Sequence, residues 1–389
     1  MLWKSLLVVA SVATPALAQE LSFGGQVRPR FEYRRSVGND RVAFTSMRVR
    51  GQLAARLKSN VRVLFQVQDV RLWVRETDIL GTHNFGLHQG YVEIASPGFS
   101  ALSARVGRQE IAFGGQRLVG AVNWSQQARA FDAVRLGVGT KVAQLDIFGA
   151  LPADAITAAN DDNAYFVGAY GQAHGAGPGT LEFYGFFNGV DGVSQTKQYT
   201  IGTRWWGTTG PASFRAEGSY QFGDRSGADV TAYMIGARVG VAIPGASSTV
   251  TLWYDYLSGD DDLADAEIRV FETLFATNHK YYGFADYFTN IPVHTAGRGL
   301  QDAAIKATYA PNPKMTVGLD VHSFHLAKSN GLSTGHLGEE LDLTLTHMYS
   351  GNLRFIGGFS WVFVADGFAE IGRLTDDASW VYLMTDVSF

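Results

Sequence analysis

Arg28, Arg30 and Arg34 occupy alternate positions in QVRPRFEYRR, residues 26–35, with Gln26 and Glu32 in the same phase and Val27, Phe31 and Tyr33 in the other. Guanidinium groups are planar, permanently charged, two-pronged donors that match carboxylates. In a β-strand successive side chains point to opposite faces, so this spacing makes one basic surface backed by one apolar surface. The segment FTSMRVRGQLAAR repeats the pattern, with Arg48, Arg50, Gln52 and Arg56 against Met47, Val49, Leu53 and Ala55. Arg62, Gln66 and Gln68 follow, then Gln89, Tyr91 and Glu93, Ser103 and Arg105, and Arg129 and Arg135. Later segments place Glu182, Arg204, Arg215, Glu217, Arg238, Asp255, Asp302, Lys306, Asp320, Glu340, Asp342 and Arg354 in the wet phase. The early part is basic, with 17 Lys/Arg against 9 Asp/Glu over residues 19–135, and the rest acidic, with 14 against 27. Opposed basic and acidic walls create a transverse field.

The elements that must carry these side chains follow from composition and from the sorting of connections. No stretch beyond the N-terminus offers the roughly 18 uninterrupted apolar residues of a membrane helix. The first residues, MLWKSLLVVASVATPALAQE, read as a secretory signal peptide over 1–18, with Lys4, a short apolar run and Ala16-Leu17-Ala18 before Gln19. The remaining residues, 19–389, are expected to form a single domain. Zero cysteines exclude disulfides and thiolate chemistry, and 45 glycines with 13% aromatics suit a turn-rich barrel.

Alternating segments can be counted to 18, centred near residues 28, 50, 65, 91, 104, 133, 145, 167, 184, 203, 217, 236, 253, 305, 319, 344, 359 and 384. Short turns such as LKSN, SPGFS, GVGT, WGTTGP, PNPK and YSGN follow the even-numbered segments. Long polar loops follow most odd-numbered ones, at 68–86, 110–128, 150–163, 258–299, 325–337 and 365–379. That sorting predicts an all-β fold, a transmembrane antiparallel β-barrel of about 18 strands with short periplasmic turns and long extracellular loops. The last segment, WVYLMTDVSF, keeps its apolar phase to a terminal aromatic and is expected to close on the first strand, which removes an exposed edge. A lipid-facing arginine costs roughly 2 to 4 kcal/mol at the bilayer midplane, so the basic phase belongs in the lumen. Arg28, Arg30, Arg48, Arg50, Arg105, Arg129 and Arg135 are the expected attracting wall, shaped by Glu32, Glu93, Glu340 and Asp342.

Residues 107–136, GRQEIAFGGQRLVGAVNWSQQARAFDAVRL, resemble the signature of the alginate export family of outer-membrane porins. The match falls at Gly107, Arg108, Gln109, Glu110, Arg117, Leu118, Gly120, Trp124, Arg129, Phe131 and Asp132. FATNHKYYGFADYF, with His279, Lys280, Tyr281, Tyr282 and Gly283, is similar to a second family segment, and LGEELDLTLTH, with Gly338, Glu340 and Asp342, to a third. The resemblance implies an 18-stranded monomeric barrel whose arginine-rich constriction is partly covered by inward-folding loops. By alternation Arg108 and Asp132 share the outward phase and are expected at the extracellular rim, past a bulge, or paired with each other. Trp124 and Phe131 are expected either to pack a loop into the mouth or to join an interfacial aromatic girdle.

Other chemistries find less support. The nine histidines are scattered, and no G-x-S-x-G or recognisable serine and histidine spacing occurs, so an enzyme is not expected. The stretch GDDDLADAE offers Asp260, Asp261 and Asp262 as a weak calcium candidate, with a solvated acidic face or divalent-bridged lipopolysaccharide as the plainer readings. No cofactor and no nucleic acid are implied. The expected partners are outer-membrane lipid, lipopolysaccharide, the barrel assembly machinery and an anionic saccharide cargo. The expected role is an outer-membrane channel passing an alginate-like polyuronate, oligouronate or similar small anion by facilitated diffusion. The alternatives are a substrate-specific uptake porin for a neutral sugar or aromatic solute, and a barrel whose loops act in adhesion or surface chemistry.

Overall fold

Period-two alternation runs through each long segment, and each forms an antiparallel strand, most of them with an apolar phase turned outward. The computed structural model describes residues 18–36, 40–74, 84–96, 102–152, 163–191 and 195–389. The expected signal peptide lies outside these residues but for Ala18, as do most of the turn at 96–100, residues 75–83 of the loop at 68–86 and most of the loop at 150–163. The strands are β1 (Ala18–Arg35), β2 (Arg41–Leu57), β3 (Val61–Leu72), β4 (Phe85–Ala95), β5 (Leu102–Gln109), β6 (Phe131–Gly139), β7 (Ala143–Pro152), β8 (Ala164–Ala176) and β9 (Gly179–Val190). They continue with β10 (Thr196–Thr209), β11 (Ala212–Arg225), β12 (Ala228–Ile243), β13 (Ser248–Leu257), β14 (Leu300–Asn312), β15 (Met315–Leu326), β16 (His336–Met348), β17 (Leu353–Val364) and β18 (Ala378–Ser388). Each pairs with the next, and β18 pairs back on β1 from Gln26 opposite Ser388 to Arg35 opposite Ser379. All 18 expected centres fall on these strands.

β1 and β2, at 18 and 17 residues, exceed the roughly 9 to 11 that cross a bilayer, because the hairpin runs on into water. There Glu20 and Arg56 form an exposed pair at 3.5 Å. Turns at one end are as short as residues 177–178, 210–211 and 313–314; the other end carries the loops 110–130 and 258–299, and also one tight hairpin at 226–227.

Close packing in the wall depends on glycine at the closing seam and within two other strand pairs. The Phe389 carbonyl accepts from the Gly25 N–H at 2.8 Å, and the Phe389 ring covers Gly25, where a Cβ would lie 2.5 Å from its Cζ. Gly107 and Gly338 have φ of 122° and 130°, and a Cβ at either would overlap a carbonyl of the neighbouring strand, that of Gly90 or Phe363. No L side chain fits there, which is why both motif segments carry glycine.

The largest apolar cluster lies inside the cylinder. Phe131, Phe148, Phe166 and Phe186 turn inward from β6–β9, and Ile111, Phe113 and Leu118 of the 110–130 loop cover them together with Phe271 of the 258–299 loop. The lumen wall is therefore aromatic on this side, where alternation predicted only a wet phase. Two in-folded loops cover it and remove it from water.

Candidate functional site

The arginines of β1 and β2 face the lumen as their spacing requires, but they are occupied. Arg28 is 5% exposed and Arg48 2%. Arg28 donates to the carbonyls of Asn123 (2.8 Å), Trp124 (3.1 Å) and Ser125 (2.9 Å) and to Gln126 Oε1 (3.0 Å). Arg48 donates to the carbonyls of Ser125 and Gln126 at 3.1 and 3.3 Å and to Gln26 at 2.7 Å. Arg30 takes the Trp124 carbonyl at 3.0 Å and Glu32 at 2.8 Å, with its guanidinium 4.6 Å from the Trp124 ring centre. A run of carbonyls presented to one wall needs an irregular backbone, and Val122 and Ala128, with φ of 50° and 56°, bracket it.

Arg50 completes this wall differently. It donates to Gln68 at 2.7 Å and Asn123 Oδ1 at 3.3 Å, and lies 3.5 Å from Glu110 and 2.9 Å from His88. Burial works against the Glu110 charge, yet hydrogen bonds from His88 and Asn123 and the Arg50 guanidinium hold its carboxyl below the ordinary range.

Acidic side chains on β11, β13 and β16 hold the same two loops at other strands. Arg117 leaves the 110–130 loop and reaches Asp255 on β13 at 2.8 Å, Glu217 on β11 at 3.2 Å and the Tyr282 hydroxyl at 2.8 Å, its guanidinium 4.0 Å from the Tyr281 ring centre. Burial opposes the Arg117 charge, but the facing Asp255, Tyr282 and Glu217 outweigh it and keep the group firmly cationic. On β16, Glu340 accepts the Ala285 N–H at 2.7 Å and Asp342 that of Phe284 at 3.2 Å. Gly283, with φ of 80°, packs against the Glu340 carboxylate where no Cβ fits.

The two loops also join each other. Phe275 donates to the Leu118 carbonyl and accepts from Gly120, both at 2.9 Å, in a parallel bridge of Val119 with Phe275. Trp124 stacks on His279 at 4.3 Å and meets Tyr382 and Trp380 of β18 edge-on at 5.0 and 5.9 Å. Trp124 and Phe131 thus pack inside the lumen and take no part in an outer girdle.

The remaining expected residues divide by position. Arg105 with Glu93 at 2.7 Å, and Arg135 with Asp146 at 2.8 Å, line the wall on the turn side of the plug, about a quarter exposed except for the nearly buried Asp146. Arg105 and Arg135 sit directly opposite one another in register. Arg129 was expected on a strand but precedes β6, donating to the Ala276 carbonyl at 3.4 Å. Arg108 and Asp132 pair at 2.9 Å on the outward phase, and Gln109 is buried, donating to the Gly107 and Ala133 carbonyls. Arg269 sits among the acidic residues at 3.3 Å from Asp260 and 3.6 Å from Asp261, where a cation would otherwise be required, and Asp262 accepts the Ala264 N–H. Among the described residues no cluster is arranged to hold a metal ion. Alternation also turns two tryptophans inward, Trp206 in phase with Arg204 and Trp253 in phase with Asp255, and their parity is the signal that marks them.

A closed antiparallel cylinder with an apolar outer phase, turns sorted by length and a charged, loop-plugged lumen is an outer-membrane β-barrel porin. The chain belongs to the alginate export family, whose model matches residues 19–368. A comparison with curated proteins returns no match. Among solved structures the chain is similar to Pseudomonas aeruginosa OpdO, with a TM-score of 0.68 at 13% identity over 96% of this chain and 98% of that one. It is similar to Acinetobacter baumannii OccAB4, with a TM-score of 0.67 at 10% identity over 97% and 100%, and to Pseudomonas aeruginosa OprD, at 0.63 and 14% over 96% of each. At these identities the likeness speaks for the fold.

Proposed function

We propose that this porin passes an anionic saccharide, an alginate-like polyuronate or oligouronate, or a similar small anion, by facilitated diffusion along the arginine side of its lumen. The observation that carries this reading is the facing pair Arg105 and Arg135, which continues the basic wall past the plug and stays about a quarter exposed. Membership of the alginate export family supports it. Each exposed contact is weak, so an array of successive sites attracts the anion without trapping it. The arginines that hold the plug act indirectly, by setting the width of the path.

The plug also supports a second reading, a substrate-specific channel for another small solute such as a neutral sugar or aromatic acid, because two docked loops suit a small cargo. Single-channel current in planar bilayers separates the readings. The expected result is anion-selective conductance, blocked by added oligouronate, with the block weakened in an Arg105→Ala plus Arg135→Ala variant. Cation-selective or uronate-blind conductance would overturn the first reading.

A further inference from the structure

β10–β13 carry one register row across the inner wall: Trp206 opposite Arg215, Arg215 opposite Arg238, and Arg238 opposite Trp253. All four side chains share the phase of Arg204, Glu217 and Asp255 and face the lumen. Trp206 is 37% exposed there, turned away from the bilayer, so the membrane interface does not account for it. Its Nε1 donates to Glu182 at 2.8 Å and Trp253 Nε1 to Asp255 at 2.8 Å, which fixes both rings while leaving them partly open. Fixed aromatic faces in a wet passage are stacking platforms.

The cations of the row are unequally satisfied. Arg215 has Asp255 at 3.3 Å and Glu217 at 3.8 Å, and Lys306, 5.1 Å from the Trp253 ring centre, has Asp320 at 2.7 Å. Arg238 forms no hydrogen bond or ion pair among the described residues; its guanidinium lies 5.3 Å from the Trp253 ring centre. Lys280 comes down from the 258–299 loop to the same place, since its Nζ lies 6.0 Å and the Arg215 guanidinium 5.7 Å from the Tyr281 ring centre. Its Nζ donates to the Gly115 carbonyl at 3.0 Å and has no carboxylate partner among the described residues. Burial first, and then Arg238, Arg204, Arg215 and Arg117, push the Lys280 ammonium below its ordinary pKa. Two cations left to repel one another between aromatic platforms are stabilised by an incoming anion.

We propose that Trp206, Arg238, Trp253 and Lys280 form a binding subsite for one carboxylated sugar ring, a hexuronate, whose carboxylate bridges Arg238 and Lys280 while its ring lies on a tryptophan face. This rests on the reading of the protein as a path for anionic saccharides, and it adds a station on the otherwise acidic side of the chain, away from the β1–β3 arginines. The bare-charge wall distinguishes anions from cations; this row distinguishes a ring-bearing anion from a simple one.

The test is block of single-channel current by three probes, an oligouronate, citrate and benzoate, in the parent, Arg238→Gln, Trp253→Leu, and Arg105→Ala plus Arg135→Ala. Arg238 holds no ion pair, so its variant is expected to keep the heat-modifiable band shift of a folded barrel; Arg238→Lys serves as the conservative check and should restore citrate block. The expected result is at least a tenfold loss of oligouronate block in both Arg238→Gln and Trp253→Leu, with citrate block lost only in Arg238→Gln. Oligouronate block unchanged within twofold in both variants, but lost in the Arg105 and Arg135 variant, would overturn the subsite and leave the anion path standing. A parent that is not anion-selective would overturn the path itself. Benzoate blocking as tightly as oligouronate, with the same sensitivity to Trp253→Leu, would overturn the sugar assignment in favour of an aromatic acid.

Discussion

On the β1–β2 wall the guanidinium groups of Arg28, Arg30 and Arg48 receive the carbonyls of residues 123–126, whereas on β16 the carboxylates of Glu340 and Asp342 receive the amides of Ala285 and Phe284. Each wall grips a loop by the backbone dipole end opposite to its own charge. Hydrogen bonds to an ionised partner are roughly twice as strong as neutral ones, and they offset the cost of taking so many charges out of water. The comparison teaches that a charged inner wall is not by itself a cargo site. Much of the charge in this lumen is engaged in holding the loops, and the path we propose for a solute relies on the remainder, at Arg105, Arg135, Arg238 and Lys280.

The largest test of this comparison is Arg117→Ala, which removes the tie of the 110–130 loop to the acidic wall and leaves Asp255 and Glu217 facing a gap. Losing one partner of a buried ion cluster costs about 3 to 5 kcal/mol. The expected outcome is a lower thermal transition, a loop open to protease and a larger conductance; an unchanged protease pattern would show that the basic wall holds the plug alone. Arg28→Ala should act next in size, with about 1.5 to 3 kcal/mol lost for its charged hydrogen bonds. It should raise current noise while sparing the Arg117 contacts, a difference that hydrogen exchange of residues 117–127 would register. The smallest effect is on pH. Glu110 has a carboxyl held below its ordinary 4.5, so its contribution is complete above that value and is lost as pH falls through the lower, folded one. Conductance is therefore expected to be constant from neutral pH to about 5 and to become noisier only in stronger acid; a change already above pH 5 would point to a group other than Glu110.

The strands were legible because one phase of each had to be apolar in lipid, and arginines such as Arg48 and Arg105 reported the other phase. The apolar character of the inner face of β6–β9 was not legible. In LEFYGFFNGV Glu182 marks the inward phase, but Tyr184 and Phe186 share it and Phe183 and Phe187 fill the other, so parity could not show that this inner face is covered rather than wet; Phe186 declares that only by what packs on it. Nor could spacing show where the loops go. Arg117 lies 100 residues from Glu217 and 165 from Tyr282, and nothing local to either motif announces the contact. Arg129 misled for a related reason: it continues the wet phase of β6 on paper, but the chain leaves the sheet before reaching it.

Trp124 touches both strands of the closing seam, β1 through Arg30 and β18 through Trp380 and Tyr382. The seam joins residues as distant as Gln26 and Asp386, 360 positions apart. The slot that receives this indole does not exist until the last strand has found the first, so the order of assembly is imposed by geometry: cylinder, then plug. Once seated, the indole clamps the seam from within, and reopening the cylinder requires the loop to leave first. Docking of the loop that narrows the pore is therefore expected to follow closure of the barrel.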